Sequence, residues 1–272
     1  GDAISLPPNA PALHHADGSL NWENSTWTNP LAALERENLL TSENLNANST
    51  IQFSIWKDLA IKANLGYAYT HSGLSQKNPI RSYDPAVPNL TGNALSGNDV
   101  QRNWLLEPQV AYNPAFNKHK FELLLGGTFQ SNSHQLFRLN SLGYVNDALL
   151  GNSQAATFIQ VTHDYYTDYR YTAAFARIGY HYDGRYLLNL TGRRDGSSRF
   201  GPNNRFATFG AIGAAWIISA EPFAAGRLGP ISFLKLRGSY GTTGNDRIGD
   251  YGYLNIYETA NYRGETTLIP AQ

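Results

Sequence analysis

The chain has 272 residues, and its 21 basic and 21 acidic side chains leave no formal net charge at pH 7. This balance gives no support to nucleic-acid binding, and the absence of cysteine excludes a disulfide framework and a cysteine-ligated metal site. The 17 Tyr, 12 Phe and 5 Trp, together with 25 Gly, favour a β protein with aromatic bands. The longest apolar run, 211–220, is shorter than the roughly 18 residues that indicate a membrane helix.

Residues 1–47 are rich in Pro, Asn and Ser, and we predict that they form an irregular segment. Within it, 20–22 is a candidate strand and 29–40 contains a candidate short helix. Residues 1–15 have neither the basic start nor the apolar stretch of a signal peptide. If the protein is exported, we therefore expect a mature chain or a fragment.

From residue 48 onwards, apolar and polar side chains alternate with the period of two that predicts half-buried strands. The predicted strands are 50–56, 59–70, 103–113, 120–130, 174–182, 186–193, 208–218 and 232–240. Between two of them, Asp183-Gly184 is the pair preferred in a type I′ hairpin turn, and Lys57-Asp58 indicates another tight turn. Because proline cannot donate to a sheet ladder, Pro108 indicates a bulge or an edge strand.

The lengths of the connections alternate along this series of strands. Short or moderate connections lie at 57–58, 114–119, 183–184 and 219–231, and long ones lie at 71–102, 131–167 and after residue 241. In an antiparallel meander this alternation places all the long connections on one rim. Outer-membrane barrels have such rims, and their strands need about 9–11 residues to cross the membrane. Aromatic residues near the predicted strand ends match interfacial girdles: Tyr67, Tyr69, Tyr112, Tyr180, Tyr182, Tyr186 and Trp216.

Several stretches resemble one family of membrane proteins. They are NPLAALER from residue 29, NWLLEPQVAYNPAFNKHKFELLLGGTFQ from 103, GYHYDGRYLLNLTGRRDGSSRF from 179, and LKLRGSYGTTGN from 234. In this order they are similar to the barrel of the SusC/RagA-like TonB-dependent outer-membrane transporters. The resemblance covers roughly 29–256, and its most specific parts are RDGSSRF (194–200) and GTTGN (241–245).

The resemblance implies an all-β, antiparallel up-and-down transmembrane β-barrel of about 22 strands closed by a plug. About eight of these strands fall within this chain, so we expect 1–47 to be an irregular segment and 48–272 to be a barrel segment. The plug, the TonB box and the C-terminal strands are expected to be absent. The family implies outer-membrane import of oligosaccharides or peptides, energised by TonB, with a SusD-like surface lipoprotein as partner.

The RDGSSRF motif permits two interpretations. Arg193, Arg194, Asp195 and Arg199 stand beside hydroxyl groups and could form an anion or sugar site. Alternatively, Asp195 accepts hydrogen bonds from the backbone amides that follow it in a tight turn, and the arginines line the lumen. We favour the structural interpretation, and we assign no substrate-binding residue. Aromatic residues in the predicted outer loops could stack on sugars or simply pack: Tyr83, Phe137, Tyr144, Tyr165, Tyr166, Tyr251 and Tyr253.

Other chemistries find little support in the sequence. Gly238, Gly241 and Gly244 do not have the spacing of a phosphate-binding loop. The seven histidines show no metal-ligand spacing, and no nucleophile-elbow GxSxG occurs. We therefore predict no catalytic residue, no metal site and no cofactor. A secreted β-sandwich or carbohydrate-binding module remains the alternative class, because sandwich strands also alternate.

Overall fold

A computed structural model describes residues 6–224, 227, 229–250, 252–254, 257–262 and 265–270. Its strands are β1 (Glu37–Trp56), β2 (Leu59–Asn78), β3 (Gly92–Tyr112), β4 (Ala115–Phe116), β5 (His119–Tyr144), β6 (Phe158–Tyr182), β7 (Tyr186–Ser197), β8 (Phe206–Ile217), β9 (Lys235–Gly241), β10 (Tyr257–Tyr262) and β11 (Glu265–Pro270). Short 3-10 helices lie at Glu23–Ser25, Pro30–Glu35, Ile80–Ser82, Asp147–Leu149, Ser153–Ala155, Ile218–Ala220 and Pro222–Ala224. Within these described ranges, no helix is long and apolar enough to span a membrane.

The strands form a meander in which neighbours in sequence are neighbours in the sheet. The order is β1-β2-β3-β5-β6-β7-β8-β9, with the short β4 paired to β5 and a separate hairpin of β10 and β11. The pairs β6/β7, β7/β8 and β8/β9 are antiparallel. The predicted all-β, up-and-down sheet of about eight strands, as in part of a barrel, is confirmed. The sandwich alternative does not fit, because the described residues contain one large sheet.

Six strands extend further than predicted: β1, β2, β3, β5, β6 and β7. β1 begins at Glu37, inside the segment predicted to be irregular, and β2 continues to Asn78. The predicted loops 71–102 and 131–167 are therefore wrong in extent: the long connections of the structure are 79–91 and 145–157. In these extensions apolar residues such as Leu39, Leu136 and Ile159 occur without a regular alternation, so hydrophobic periodicity does not reveal them. Side-chain pairs across β1 and β2 join them, such as Lys77 Nζ with Glu37 Oε2 at 3.0 Å.

Contacts between residues divide the chain into two compact units. The first comprises Gly1–Leu45, Tyr69–Gln101 and His134–Tyr166, and the second comprises Asn46–Ala68, Arg102–Ser133 and Thr167–Gln272. Each unit contains its own network of polar side chains, described below.

Buried asparagines organise the N-terminal part of the first unit. Asn29 is 1% exposed, and its Nδ2 donates to the Leu13 carbonyl at 2.6 Å and to the Asn21 carbonyl at 2.9 Å. Its side-chain oxygen accepts from the Leu31 amide, so Asn29 caps the 3-10 helix Pro30–Glu35. The short helix predicted within 29–40 is thus present. The strand predicted at 20–22 is wrong, because Leu20 makes only an isolated bridge with His14.

The tight turns agree with their sequences. Asp183 and Gly184 have positive φ angles of 53° and 68°, as a type I′ turn requires, and the Arg185 amide donates to the Tyr182 carbonyl at 3.0 Å. Pro108 lies within β3, which is flanked by β2 and β5, so of the two predicted alternatives the edge strand is wrong and the bulge stays a prediction.

Aromatic rings gather where β5, β6, β7 and β8 meet the short connections. The Phe121 and Tyr180 ring centroids are 4.9 Å apart, and those of Tyr186 and Trp216 are stacked at 6.4 Å. This matches the predicted aromatic band at these strand ends. By contrast, Tyr67 and Tyr69 lie in the middle of the longer β2, so their placement near a strand end is wrong.

Glu221 connects this band to the turn between β8 and β9. It is 6% exposed and accepts hydrogen bonds from Arg185 Nη1 at 2.8 Å and from Trp216 Nε1 at 2.9 Å. A hydrogen bond from Tyr186, followed by that from Trp216 and the bond and charge of Arg185, lowers the pKa of Glu221 below its ordinary value. No pattern in the sequence identifies Glu221 as a shared hydrogen-bond acceptor.

Acid should lower the stability that the hydrogen bonds and ion pair of Glu221 provide. Because the pKa of Glu221 is lowered in the folded state, its stabilisation is complete above the unfolded pKa of about 4.3 and is lost as the pH falls through the folded value. We expect Glu221→Gln to lower the thermal unfolding midpoint at pH 7 and to flatten its decline between pH 6 and pH 3. Asp164→Asn, which alters an exposed carboxylate, is the control. An unchanged pH dependence in Glu221→Gln would contradict this role.

Two glycines of β9 should respond differently to substitution. A Cβ on Gly241 would lie 2.7 Å from the Cβ of Ala211, its cross-strand partner, whereas a Cβ on Gly238 would meet nothing within 4 Å. Since Ala211 has no flexible end that could move, Gly241→Ala should destabilise the folded chain by about 1–3 kcal/mol. Gly238→Ala should have little effect. Unfolding in detergent, followed by circular dichroism, measures both; equal midpoints would contradict the close approach.

Candidate functional site

The two faces of the sheet differ in chemical character. Residues paired across strands share a face, and one row of partners in β6 to β9 is Ile178, Leu190, Ile212 and Tyr240. These side chains are exposed to 45%, 37%, 49% and 77%, so this apolar face has no protein cover in the described structure. The adjacent row, on the opposite face, is Gly179, Asn189, Gly213 and Ser239.

Glu107 is the centre of a polar ladder on that opposite face, in the second unit. Thr50 Oγ1 donates to Asn64 Oδ1 at 3.0 Å, and Asn64 Nδ2 donates to Glu107 Oε1 at 3.4 Å. Glu107 also accepts from Gln109 Nε2 at 2.7 Å and from Thr128 Oγ1 at 3.2 Å. The ladder connects β1, β2, β3 and β5 through side chains alone. Sequence alternation placed these residues on the polar face, but it could not identify Glu107 as their shared acceptor.

An arginine cluster continues the polar face across β6 and β7. Arg193 Nε donates to Asp195 Oδ1, and its Nη2 donates to Tyr171 Oη, both at 2.5 Å. The Arg193 guanidinium also lies 5.6 Å from the ring centroid of Phe175. These contacts hold the guanidinium flat against the wall. Lys235 and Arg237 follow the same alternation onto the polar face, because Arg237 pairs with Ala215, two residues beyond Gly213.

A second arginine cluster holds the segment that follows β9. Arg199 Nε donates to Asp250 Oδ1 at 2.8 Å, and its guanidinium lies 4.3 Å from the ring centroid of Tyr169. Tyr169 Oη in turn donates to Asp246 Oδ2 at 2.6 Å. Burial raises the pKa of Asp246, but hydrogen bonds from Tyr169 and Ser197 and the charge of Arg199 outweigh it, so the net shift is downwards. The carboxylate is therefore charged at neutral pH.

The RDGSSRF motif divides between the two faces, so it does not form one anion or sugar site. Arg193 and Asp195 pair on the polar face, whereas Arg194 packs over the Phe206 ring at 5.5 Å, one position away in an alternating strand. The predicted bonds from Asp195 to the following backbone amides are wrong, because its carboxylate accepts from Arg193. The hydroxyl of Ser197 takes that role, accepting from the Arg199 amide at 3.3 Å.

The histidines and acidic residues do not gather into a metal site. Across the residues that the structure describes, no group of three potential ligands occurs. His134 Nε2 lies 2.9 Å from Asp99 Oδ1, and His71 Nδ1 lies 3.8 Å from Glu43 Oε2, so both histidines contact single carboxylates. The predictions of no catalytic residue and no cofactor stay predictions.

Several aromatic residues predicted to lie in outer loops belong to strands. Phe137 and Tyr144 lie in β5, and Tyr144 is fully buried. Tyr165 and Tyr166 lie in β6; Tyr165 contacts His134 edge-on at 5.3 Å, whereas Tyr166 is 59% exposed. Packing therefore accounts for Tyr144 and Tyr165.

Two of the remaining aromatic residues lie in connections. Tyr83 Oη accepts a hydrogen bond from Asn93 Nδ2 at 2.9 Å, so packing also accounts for Tyr83. Tyr253 is 38% exposed, and Tyr251 lies outside the described residues.

Arg199 should control the order of the segment 242–250. Arg199→Lys keeps the charge but removes the forked donors and the flat packing over Tyr169. Since a hydrogen bond between charged groups contributes roughly 1.5–3 kcal/mol, amide hydrogen exchange within 242–250 should accelerate about tenfold or more. Arg205→Lys, which changes an exposed arginine of the same loop, should leave exchange unchanged. Identical exchange in the two variants would contradict the proposed contact.

Sequence relatives agree with this architecture. The chain is 34% identical over 247 residues to "TonB-dependent receptor P39" of Formosa agariphila, covering 89% of this chain and 23% of the relative. It is 28% identical over 294 residues to "TonB-dependent receptor SusC" of Bacteroides thetaiotaomicron, covering 96% of this chain and 28% of the relative. The chain thus spans about a quarter of the length of these relatives. No protein-family model matches it.

Solved structures show the same fold. The structure of the RagAB peptide transporter superposes with a TM-score of 0.76 at 25% identity, over 89% of this chain and 27% of that chain. The RagAB peptide importer in its closed-closed state gives 0.75 at 26% identity, over 90% and 27%. Sequence motifs, strand order and backbone fold agree: this chain is related to the SusC/RagA-like TonB-dependent outer-membrane receptors and corresponds to a segment of their β-barrel.

Proposed function

We propose that this chain is part of the barrel wall of an outer-membrane, TonB-dependent importer of oligosaccharides or peptides. The observation that carries the proposal is the difference between the two faces of one sheet. The apolar face is exposed at Leu236 (63%) and Ile212 (49%), as lipid contact requires. The opposite face carries the Glu107 ladder and the Arg193 cluster, which suit a water-filled interior.

In the proposed mechanism, the polar side chains of this wall bond to one another and stabilise the wall. Glu107 and Arg193 both bond to neighbours on the wall itself, so their charges are held in place and need no solute as partner. A wall of this kind presents hydroxyl, amide and guanidinium groups to a passing polar solute without binding it tightly. Movement would be driven by TonB acting on a plug elsewhere in the protein. We propose no catalytic role for this chain.

Substrate class and partner rest on the relatives. One solved relative is described as a peptide transporter, and SusC is a receptor of the same family. We propose that the rim with the long connections, 79–91 and 145–157, faces the cell exterior, where a SusD-like lipoprotein would deliver the substrate. Oligosaccharides and peptides both remain candidate substrates.

Uptake by whole cells tests the proposal. Cells in which the whole protein that contains this chain is the sole receptor of its type should accumulate one of two labelled probes, malto-oligosaccharides or tryptic casein peptides, and a tonB deletion should abolish accumulation. Accumulation that persists without TonB would contradict the mechanism.

Detergent dependence separates this proposal from a secreted binding module. The exposed apolar face should make the full chain aggregate without detergent and remain monodisperse with it. A monodisperse, folded chain in plain buffer would contradict the membrane assignment. Light scattering with and without detergent gives the answer.

A further inference from the structure

A cleft of about 520 Å³ lies on the apolar face, at the end of β6, β7 and β8 away from the short connections. Three aromatic side chains form its sides: Trp104 from β3, Phe129 from β5 and Phe206 from β8. Its polar lining includes Ser131, Arg170, Thr172 and Ser198. All these residues belong to the second unit.

Register places the cleft on the lipid-facing side. Thr172 pairs with Gly196, and Gly196 pairs with Phe206, so the three share a face, as do Ile178 and Leu190 six residues away. A Cβ on Gly196 would lie 2.5 Å from the Phe206 ring, so this ring covers the bare backbone at the floor of the cleft.

The cleft lies where the apolar face ends. Along β7 this face reads Tyr186, Leu188, Leu190, Gly192 and then Arg194. At about 3.3 Å per residue and a tilt of about 40°, the eight steps from Tyr186 to Arg194 cover roughly 20 Å of membrane depth, against an apolar band of about 25 Å. Arg194 and the cleft beside it therefore lie near the head-group level.

Positive charge lies at and beside the cleft. The Arg170 side chain is 76% exposed, and its Nη2 lies 2.9 Å from Asp168 Oδ2, its one carboxylate partner among the described residues. The Arg194 guanidinium lies 5.5 Å from the centroid of the Phe206 ring, and it forms no ion pair within the described part of the chain. Arg205 also lines the cleft, so three guanidinium groups stand against one carboxylate. A guanidinium at the membrane boundary attracts anions, and lipid phosphate is the anion available at that depth.

We propose that this cleft binds the phosphorylated head group of a membrane lipid. Arg170 and Arg194 contact the phosphate oxygens, the hydroxyls of Thr172 and Ser198 donate to the same group, and the rings of Trp104 and Phe129 pack against the adjoining apolar part of the lipid. The phosphate supplies the anionic partner that Arg194 lacks among the described residues. Lipid binding is read out without transport, so its result does not depend on the import proposal.

Lipid selectivity of the full chain tests the site directly. In detergent, the chain would be titrated with dioleoyl phosphatidic acid, dioleoylglycerol or inorganic phosphate, and retention would be measured by native mass spectrometry. Phosphatidic acid should bind at least tenfold more tightly than dioleoylglycerol, which has the same acyl chains without the phosphate. Equal affinity for both lipids would overturn the proposal, and so would binding of inorganic phosphate as tight as that of phosphatidic acid.

Matched variants locate the site. The double variant Arg170→Gln, Arg194→Gln should lose at least tenfold in affinity for phosphatidic acid, whereas Arg237→Gln, on the opposite face, should not. Circular dichroism verifies that each variant is folded. If the double variant does not fold, the lipid comparison on the unaltered chain decides the matter alone. A folded double variant with unchanged affinity would overturn the assignment to this cleft.

Discussion

Backbone pairing in a lipid environment is the constraint on which this structure depends. Lipid offers no hydrogen-bond partner, so every amide and carbonyl at membrane depth must pair within the protein. β7 satisfies this on both sides, since its residues pair from Tyr186 to Ser197 with β6 and from Tyr186 to Gly196 with β8. With the backbone fully paired, alternation of side chains decides which face meets lipid. The exposed apolar rows and the hydrogen-bonded polar rows both follow from this one register.

The membrane part of the fold was predictable because lipid enforces a period of two. Because lipid contact requires apolar side chains, alternation assigned Ile178 and Leu190 to the same face of the sheet. The Asp183-Gly184 turn was predictable because both residues tolerate a positive φ angle. The parts of β1 and β2 at 37–49 and 71–78 were missed because apolar and polar residues do not alternate regularly there. There, side-chain hydrogen bonds join the two strands, such as the one from Thr70 Oγ1 to Asn44 Oδ1 at 2.9 Å. Periodicity in the sequence does not predict such bonds.

Polar networks were the least predictable part, because they depend on which long side chains meet in space. The polar face of β3 was evident, but the selection of Glu107 as acceptor for three neighbours needs the lateral register of three strands. Arg199 and Asp250 are 51 positions apart, and only the fold brings them together. Arg193 and Arg194 show the opposite case: adjacent in sequence, they lie on different faces and meet different chemistry.

The central claim is that one face of this sheet contacts lipid and the other contacts water, and spin labels can test it directly. Because the chain has no cysteine, Leu190→Cys and Asn189→Cys each create a single labelling site, one residue apart in β7. In the full chain, reconstituted in phospholipid bilayers, the label at 190 should collide mainly with oxygen, which concentrates in lipid. The label at 189 should collide mainly with a water-soluble nickel chelate. The reverse pattern, or equal accessibility at both positions, would contradict the account.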